Sequence, residues 1–224
     1  QCISGAGASD IYVVMARTGS DGPRGISAFL VEKGTAGLSF GANEEKMGWN
    51  AQPTAMVHFD KVRVPAANRV GEEGQGFKYI LTGLNAERVL IAAECLGDGY
   101  WFIDKVTAYA KERTVFGRPI GQNQGVAHPL AKSWAELEAA NLLAFKAAAL
   151  YDQGKDCGAE ANAAKYLGAE AGFHACENAV LAHGGMGYAK EYDVERYFRE
   201  GMQATIGGGT SQIQRTIIAQ ELRV

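Results

Sequence analysis

Apolar and polar residues alternate in short runs up to about residue 70, and from there apolar residues recur at helical spacing to the end of the chain. DIYVVMA (10–16) and GISAFLVE (25–32) are β-branched and aromatic runs separated by the turn-forming SDGPRG, and they predict paired strands. GLSF (37–40) and TAMVHFD (54–60) continue the pattern, with Ala55, Val57 and Phe59 alternating against Met56 and His58. In KVRVP, Val62 and Val64 keep the period of two, predicting one more strand closed by Pro65. Short strands at this spacing point to an antiparallel barrel or sandwich rather than a βαβ unit.

Residues 76–113 lack proline and carry Phe77, Ile80, Leu81, Leu84, Val89 and Ile91 at helical intervals, predicting a long helix. FGRPIGQNQG (116–125) reads as a loop, and Pro129 is placed for the first turn of a second helix over 130–151. A third helix is expected over 159–183, stopped by Gly184-Gly185-Met186-Gly187. A shorter helical piece follows over 192–200. After GGGT, a last helix over 211–222 is capped by Thr210. Helices of this length need partners for their apolar faces. The predicted class is therefore α+β: a partial antiparallel β-barrel or sandwich over 1–69, then an α-helical four-helix bundle over 70–224.

Composition narrows the function classes. The 224 residues carry 22 Lys+Arg against 25 Asp+Glu, a net charge of −3 that argues against a nucleic-acid binder. No apolar run reaches the ~18 residues of a membrane span, so membrane insertion is not expected. The four cysteines are scattered, with no C-x-x-C and no clustered His, so no metal site is expected. The chain opens on Gln1 rather than Met, close to strand-like sequence, and the natural N-terminus is expected to lie elsewhere. Glycine is the compositional outlier, at 29 residues.

Some of that glycine sits at helix ends. Gly207-Gly208-Gly209-Thr210 precedes a helix and could receive an anion or a carbonyl oxygen at close backbone range, although helix-terminating glycines are common without any ligand. Neither cluster fits a P-loop or a dinucleotide-binding G-x-G-x-x-G. Glu87, inside the apolar GLNAERVLIAAE, is a candidate base if its surroundings are dry, whereas a Glu beside Arg88 is ordinarily a solvated surface residue. His183 reads as a packed helix-end residue, and Trp49 and Trp134 as core or interface aromatics.

Several segments in register resemble one family. ERTVFGRPIGQNQ (112–124), AHGGMGY (182–188) and GGGTSQIQR (207–215) are similar to the flavin-dependent acyl-CoA dehydrogenases. ISGAGASDIYVV (3–14), GWNAQPT (48–54) and VPAANRVGEEGQGF (64–77) resemble the isobutyryl-CoA dehydrogenase branch in particular. The resemblance implies a homotetramer, a dimer of dimers, that acts in fatty acid or branched-chain amino acid catabolism. It also implies a location in the bacterial cytoplasm or the mitochondrial matrix, with an electron-transferring flavoprotein as acceptor. A helical N-terminal domain and the first half of the β domain would precede this portion.

Carried over residue by residue, the resemblance implies FAD bound between subunits. Arg113, Phe116 and Gln124 of one chain and Gly184, Gly185 and Gly187 of a neighbour would hold it. Thr210 and Gln212 would lie near its adenine and pyrophosphate, and Ser4 near the flavin ring. Cys2 stands where an aromatic residue is usual.

The implied reaction is α,β-dehydrogenation of an acyl-CoA thioester, with the thioester carbonyl received by a backbone N–H in the glycine loop. Most of the family carries its catalytic Glu immediately before the Gly-Thr of that loop, and here the position is Gly208. The isovaleryl-CoA and long-chain branches instead place the base in L-x-x-E-R on the first bundle helix. Leu84-Asn85-Ala86-Glu87-Arg88 matches that motif. Glu87 is thus the expected base, Gly208 the carbonyl contact, and Asn85 and Arg88 substrate contacts. The alternatives are an oligomerising module that retains no FAD in isolation, and a related flavin reaction on another substrate.

Overall fold

The computed structural model describes residues 2–223; Gln1, on which the expectation about the N-terminus falls, lies outside them. The chain divides into two compact units, Gln1–Gly83 and Leu84–Val224.

The first unit is antiparallel throughout. β1 (Ile3–Ser4) pairs with β5 (Thr54–Ala55), and β4 (Leu38–Phe40) pairs with β6 (Val57–Phe59). β2 (Ile11–Arg17) and β3 (Ile26–Glu32) form the longest ladder, from Ile11 opposite Glu32 to Arg17 opposite Ile26, and β7 (Arg69–Val70) adds to the free edge of β3. These are separate small sheets with no closed barrel, so the partial sandwich is the form realised. Tyr12, Ala28 and Val31 are buried, and the Tyr12 hydroxyl accepts the Gly7 N–H at 2.9 Å, tying the first turn to the ladder.

One predicted strand is absent. Residues 61–64 are not paired, because Lys61 adopts φ 50 and turns the chain out of the extended direction. The ladder position beside β3 goes instead to Arg69 and Val70.

α1 (Gly76–Glu112) begins in the first unit and runs on into the second. The hairpin β8 (Thr114–Val115) and β9 (Arg118–Pro119) follows. α2 (Gln124–Asp152), α3 (Gly158–His183), α4 (Val194–Ala204) and α5 (Ser211–Glu221) complete the described elements, with a 3₁₀ turn at Gly184–Tyr188. The second helix therefore starts earlier than expected, with Asn123 as its N-cap, and Pro129 lies inside it rather than in its first turn. The Asn123 carbonyl closes that early turn by accepting the N–H groups of Val126 and Ala127, both at 2.9 Å.

The helical core is built from small residues around a few large ones. Phe102, Val106 and Leu137 are buried among Ala92, Ala140, Ala164, Ala175 and Ala179, with Tyr197 and Phe198 of α4 packed against them. A few of the glycines belong to this packing. A Cβ at Gly172 would lie 2.6 Å from the Cys95 carbonyl oxygen, and one at Gly168 would lie 3.3 Å from that of Ala92, so α3 approaches the α1 backbone directly. Gly172→Val is expected to cost about 1–3 kcal/mol by overpacking, read as a lower midpoint in chemical denaturation. Trp134, expected as a core or interface aromatic, is 51 % exposed in this chain and so does not belong to its core.

Candidate active site

The glycine loop between α4 and α5 is held from beneath by three buried side chains. Arg88 from α1 is 7 % exposed, and Lys165 from α3 and Gln214 from α5 are both 0 % exposed. Lys165 Nζ donates to the Gly209 carbonyl at 2.7 Å. Gln214 Nε2 donates to the Gly208 carbonyl at 2.9 Å and reaches that of Gly209 at 3.3 Å. Arg88 Nε also points at the Gly208 carbonyl, at 3.4 Å. On the α4 side, the Gly207 N–H closes on the Gln203 carbonyl at 2.9 Å. The Thr210 hydroxyl caps α5 by accepting the Ile213 N–H at 3.4 Å, as its position in the sequence predicts.

The loop's backbone demands glycine at its centre. Gly208 has φ +64, and a Cβ there would collide with Ile91 Cδ1. The same contact brings the α1 turn that carries Asn85, Glu87 and Arg88 against the loop. Glu87 is exposed while its neighbour Arg88 is buried, so the two adjacent charges lead to different sides of the helix. Burial lowers the Arg88 guanidinium from its ordinary value, and the nearby Glu87 carboxylate opposes that shift. Burial likewise lowers the Lys165 ammonium; Cys95 opposes this and Arg88 adds to it. The Cys95 thiol itself is pushed up to about 12 by burial, so it stays protonated near neutral pH.

The remaining predicted positions fall into separate groups. Arg113 is exposed at the end of α1, Phe116 is 100 % exposed at the tip of the β8–β9 hairpin with φ 52, and Gln124 is exposed at the start of α2. Gly184 ends α3 with φ 59, and a Cβ on Gly184 or Gly185 would meet nothing within 4 Å. Gly187 differs: it is buried, and a Cβ there would strike the Val180 carbonyl, so packing alone accounts for that glycine. A cleft of about 460 Å³ opens beside this turn, lined by Val180, Gly187, Tyr188, Lys190 and Phe198. Gln212 is exposed on α5, and Ser4 is exposed on β1 of the first unit, opposite Thr54. His183 is packed at its helix end, stacked on Tyr109 with Nδ1 2.7 Å from the Ala179 carbonyl.

Lys165 and Gln214 were not among the residues expected from sequence. A lone Lys within the small-residue run NAAKYLGAE is the signal that marks the first, and the final Gln of TSQIQ marks the second.

Comparison with known proteins decides the family. The family model described as acyl-CoA dehydrogenase, C-terminal domain, matches residues 74–223, and that of the middle domain matches 1–62. The chain belongs to the acyl-CoA dehydrogenase family. Among curated acyl-CoA dehydrogenases, it is 43 % identical to mitochondrial isobutyryl-CoA dehydrogenase of Bos taurus over 221 residues, which is 98 % of this chain and 53 % of that protein. The chain thus spans about half the length of the curated relatives it matches. The structure of butyryl-CoA dehydrogenase from Megasphaera elsdenii superposes with a TM-score of 0.94 at 36 % identity, covering 100 % of this chain and 58 % of that one. The structure described as PigA with FAD and proline gives a TM-score of 0.96 at 29 % identity, covering 98 % and 58 %. No described helix of the chain is long and apolar enough to cross a membrane.

Proposed function

We propose that this chain carries the catalytic base and the carbonyl-binding loop of an FAD-dependent acyl-CoA dehydrogenase, with Glu87 as the base. The observation that carries this reading is the seating of the Glu87 turn of α1 against a loop whose central residue, Gly208, has no carboxylate and a left-handed backbone that disfavours any side chain. Glu87 takes the α-proton of the thioester, and the loop N–H groups receive its carbonyl oxygen as negative charge develops there. Asn85 is the accompanying substrate-side position, and Arg88 backs the loop through the Gly208 carbonyl. Short or branched acyl-CoA is the substrate class favoured by the likeness to the isobutyryl-CoA enzyme. The test is anaerobic mixing of the natural full-length protein with isobutyryl-CoA and butyryl-CoA: bleaching of bound flavin is expected, and a flavin indifferent to every acyl-CoA contradicts the reading.

The exposed positions suit FAD. Arg113 is exposed and makes no ion pair among the described residues, so its planar fork is available to a diphosphate. Phe116 holds a left-handed backbone with its ring wholly in solvent, a costly arrangement that a stacked partner would offset. Gly184 and Gly185 leave open space where side chains would otherwise stand, allowing close backbone approach. In the proposed site these residues, with Gln124, Thr210 and Gln212, hold the cofactor. FAD supplies the acceptor for the hydride that leaves the β-carbon. Phe116→Ala is expected to leave the melting temperature nearly unchanged while lowering the flavin retained through gel filtration several-fold.

A homo-oligomer and an electron-transferring flavoprotein are the proposed partners. Exposed Trp134, Leu142 and Phe145 on α2 form an apolar stripe that a second copy would cover. Sedimentation of the full-length protein should show a species larger than the monomer.

A further inference from the structure

The buried cations under the glycine loop have no role in the proton transfer just described. Lys165 and Arg88 make no ion pair among the described residues. Their hydrogen bonds among the described residues go to main-chain carbonyls of the loop. Every described peptide bond is trans, so a carbonyl and the N–H of the same peptide point in opposite directions. With the Gly208 and Gly209 carbonyls drawn inward, the N–H groups of Gly209 and Thr210 are turned away from Lys165 and Gln214. Among the described residues, none of the N–H groups of Gly208, Gly209 and Thr210 has a hydrogen-bond partner.

We propose that Lys165 is a positioning residue for the substrate carbonyl: its buried ammonium holds the Gly209 peptide so that the loop's N–H groups face an incoming oxygen, and its charge favours that oxygen as an enolate. The proposal rests on the acyl-thioester reading above and deepens it. Gln214 performs the neutral part of the task at Gly208, and Arg88 supplies a second positive charge close by. A cation buried with only carbonyls for partners favours a nearby negative charge strongly, because little water screens it. Burial and Arg88 both disfavour the charged lysine when the loop faces no anion, and an oxygen acquiring negative charge relieves that cost. No atom is exchanged with Lys165: the α-proton goes to Glu87 and the electron pair moves onto the thioester oxygen.

Acetoacetyl-CoA tests this, since its α-carbon ionises to an enolate without being dehydrogenated. In the full-length FAD-loaded protein, the pH midpoint of enolate formation by the bound thioester is read from its ultraviolet absorbance. Glu87, Arg88 and Cys95 are common to every variant, so differences between midpoints report Lys165. The wild-type midpoint should lie below that of free acetoacetyl-CoA. Lys165→Met should raise it by at least one pH unit, a tenfold loss of enolate preference, while the affinity for saturated butyryl-CoA changes less than threefold. Lys165→Arg, which keeps the charge, should recover most of the shift. Lys165→Gln keeps a donor without the charge; it should raise the midpoint by about half a pH unit or more, a threefold loss of enolate preference, and it decides the matter if the Met variant does not fold. An unchanged midpoint in the neutral variants, or an equal loss of affinity for both thioesters, overturns the positioning role. A wild-type midpoint equal to that of the free thioester instead overturns the acyl-thioester reading itself.

Discussion

Glu87→Gln, made in the natural full-length protein and loaded with FAD, is expected to slow substrate-driven flavin reduction by about 10²–10⁴-fold, the range by which a positioned general base contributes. The amide occupies nearly the same volume and lies on an exposed face of α1, so folding and flavin content should be those of the wild type. Acyl-CoA affinity should change little, because the lost interaction belongs to the transition state rather than to the bound substrate. Glu87→Asp should retain more rate than the Gln variant while remaining well below wild type, since the carboxylate persists at a shorter reach. Stopped-flow bleaching of the flavin at saturating acyl-CoA measures all three proteins. A Gln variant within threefold of wild type would remove Glu87 from the mechanism.

The second large effect concerns the loop. Gly208→Glu places a carboxylate at the position most of the family uses, yet it should not restore activity to Glu87→Gln. A side chain at φ +64 is strained, at a cost of about 1–3 kcal/mol. Its Cβ also meets Ile91 Cδ1, the end of a flexible side chain, so that side chain must rotate away to admit it. Adding Ile91→Ala removes the collision, and the triple variant should gain at least tenfold in flavin reduction over the double. Gly208→Ala alone, with Glu87 intact, should lower the rate without altering flavin content. Full rescue by Gly208→Glu without the Ile91 change would mean that neither the left-handed backbone nor Ile91 opposes a side chain at this position.

Periodicity carried most of the helical architecture. The apolar spacing and absence of proline predicted a helix over 76–113, and α1 spans Gly76–Glu112; Gly184 ends α3 through its positive φ. The misses have local causes that a pattern of apolar and polar residues does not encode. KVRV has the alternation of a strand, but the left-handed turn at Lys61 is a backbone choice at a residue type that rarely makes it. Pro129 suggested a helix start, whereas Asn123 closes the first turn of α2 earlier and the long helix absorbs the proline. At the candidate site, Glu87 and Gly208 became meaningful together through the family resemblance, and the structure adds the contact that brings their elements against each other. Lys165 and Gln214 stayed hidden because a buried lysine bonded to a carbonyl 44 positions away leaves no mark at motif spacing.

Removal of the α-proton by Glu87 is read from hydrogen exchange rather than from flavin colour. The full-length FAD-loaded protein is incubated anaerobically with acyl-CoA in deuterated water, and the α-position is followed by proton NMR. Deuterium should enter the α-carbon with wild type, and none above the uncatalysed background with Glu87→Gln. Exchange persisting at the wild-type rate in the Gln variant would contradict it.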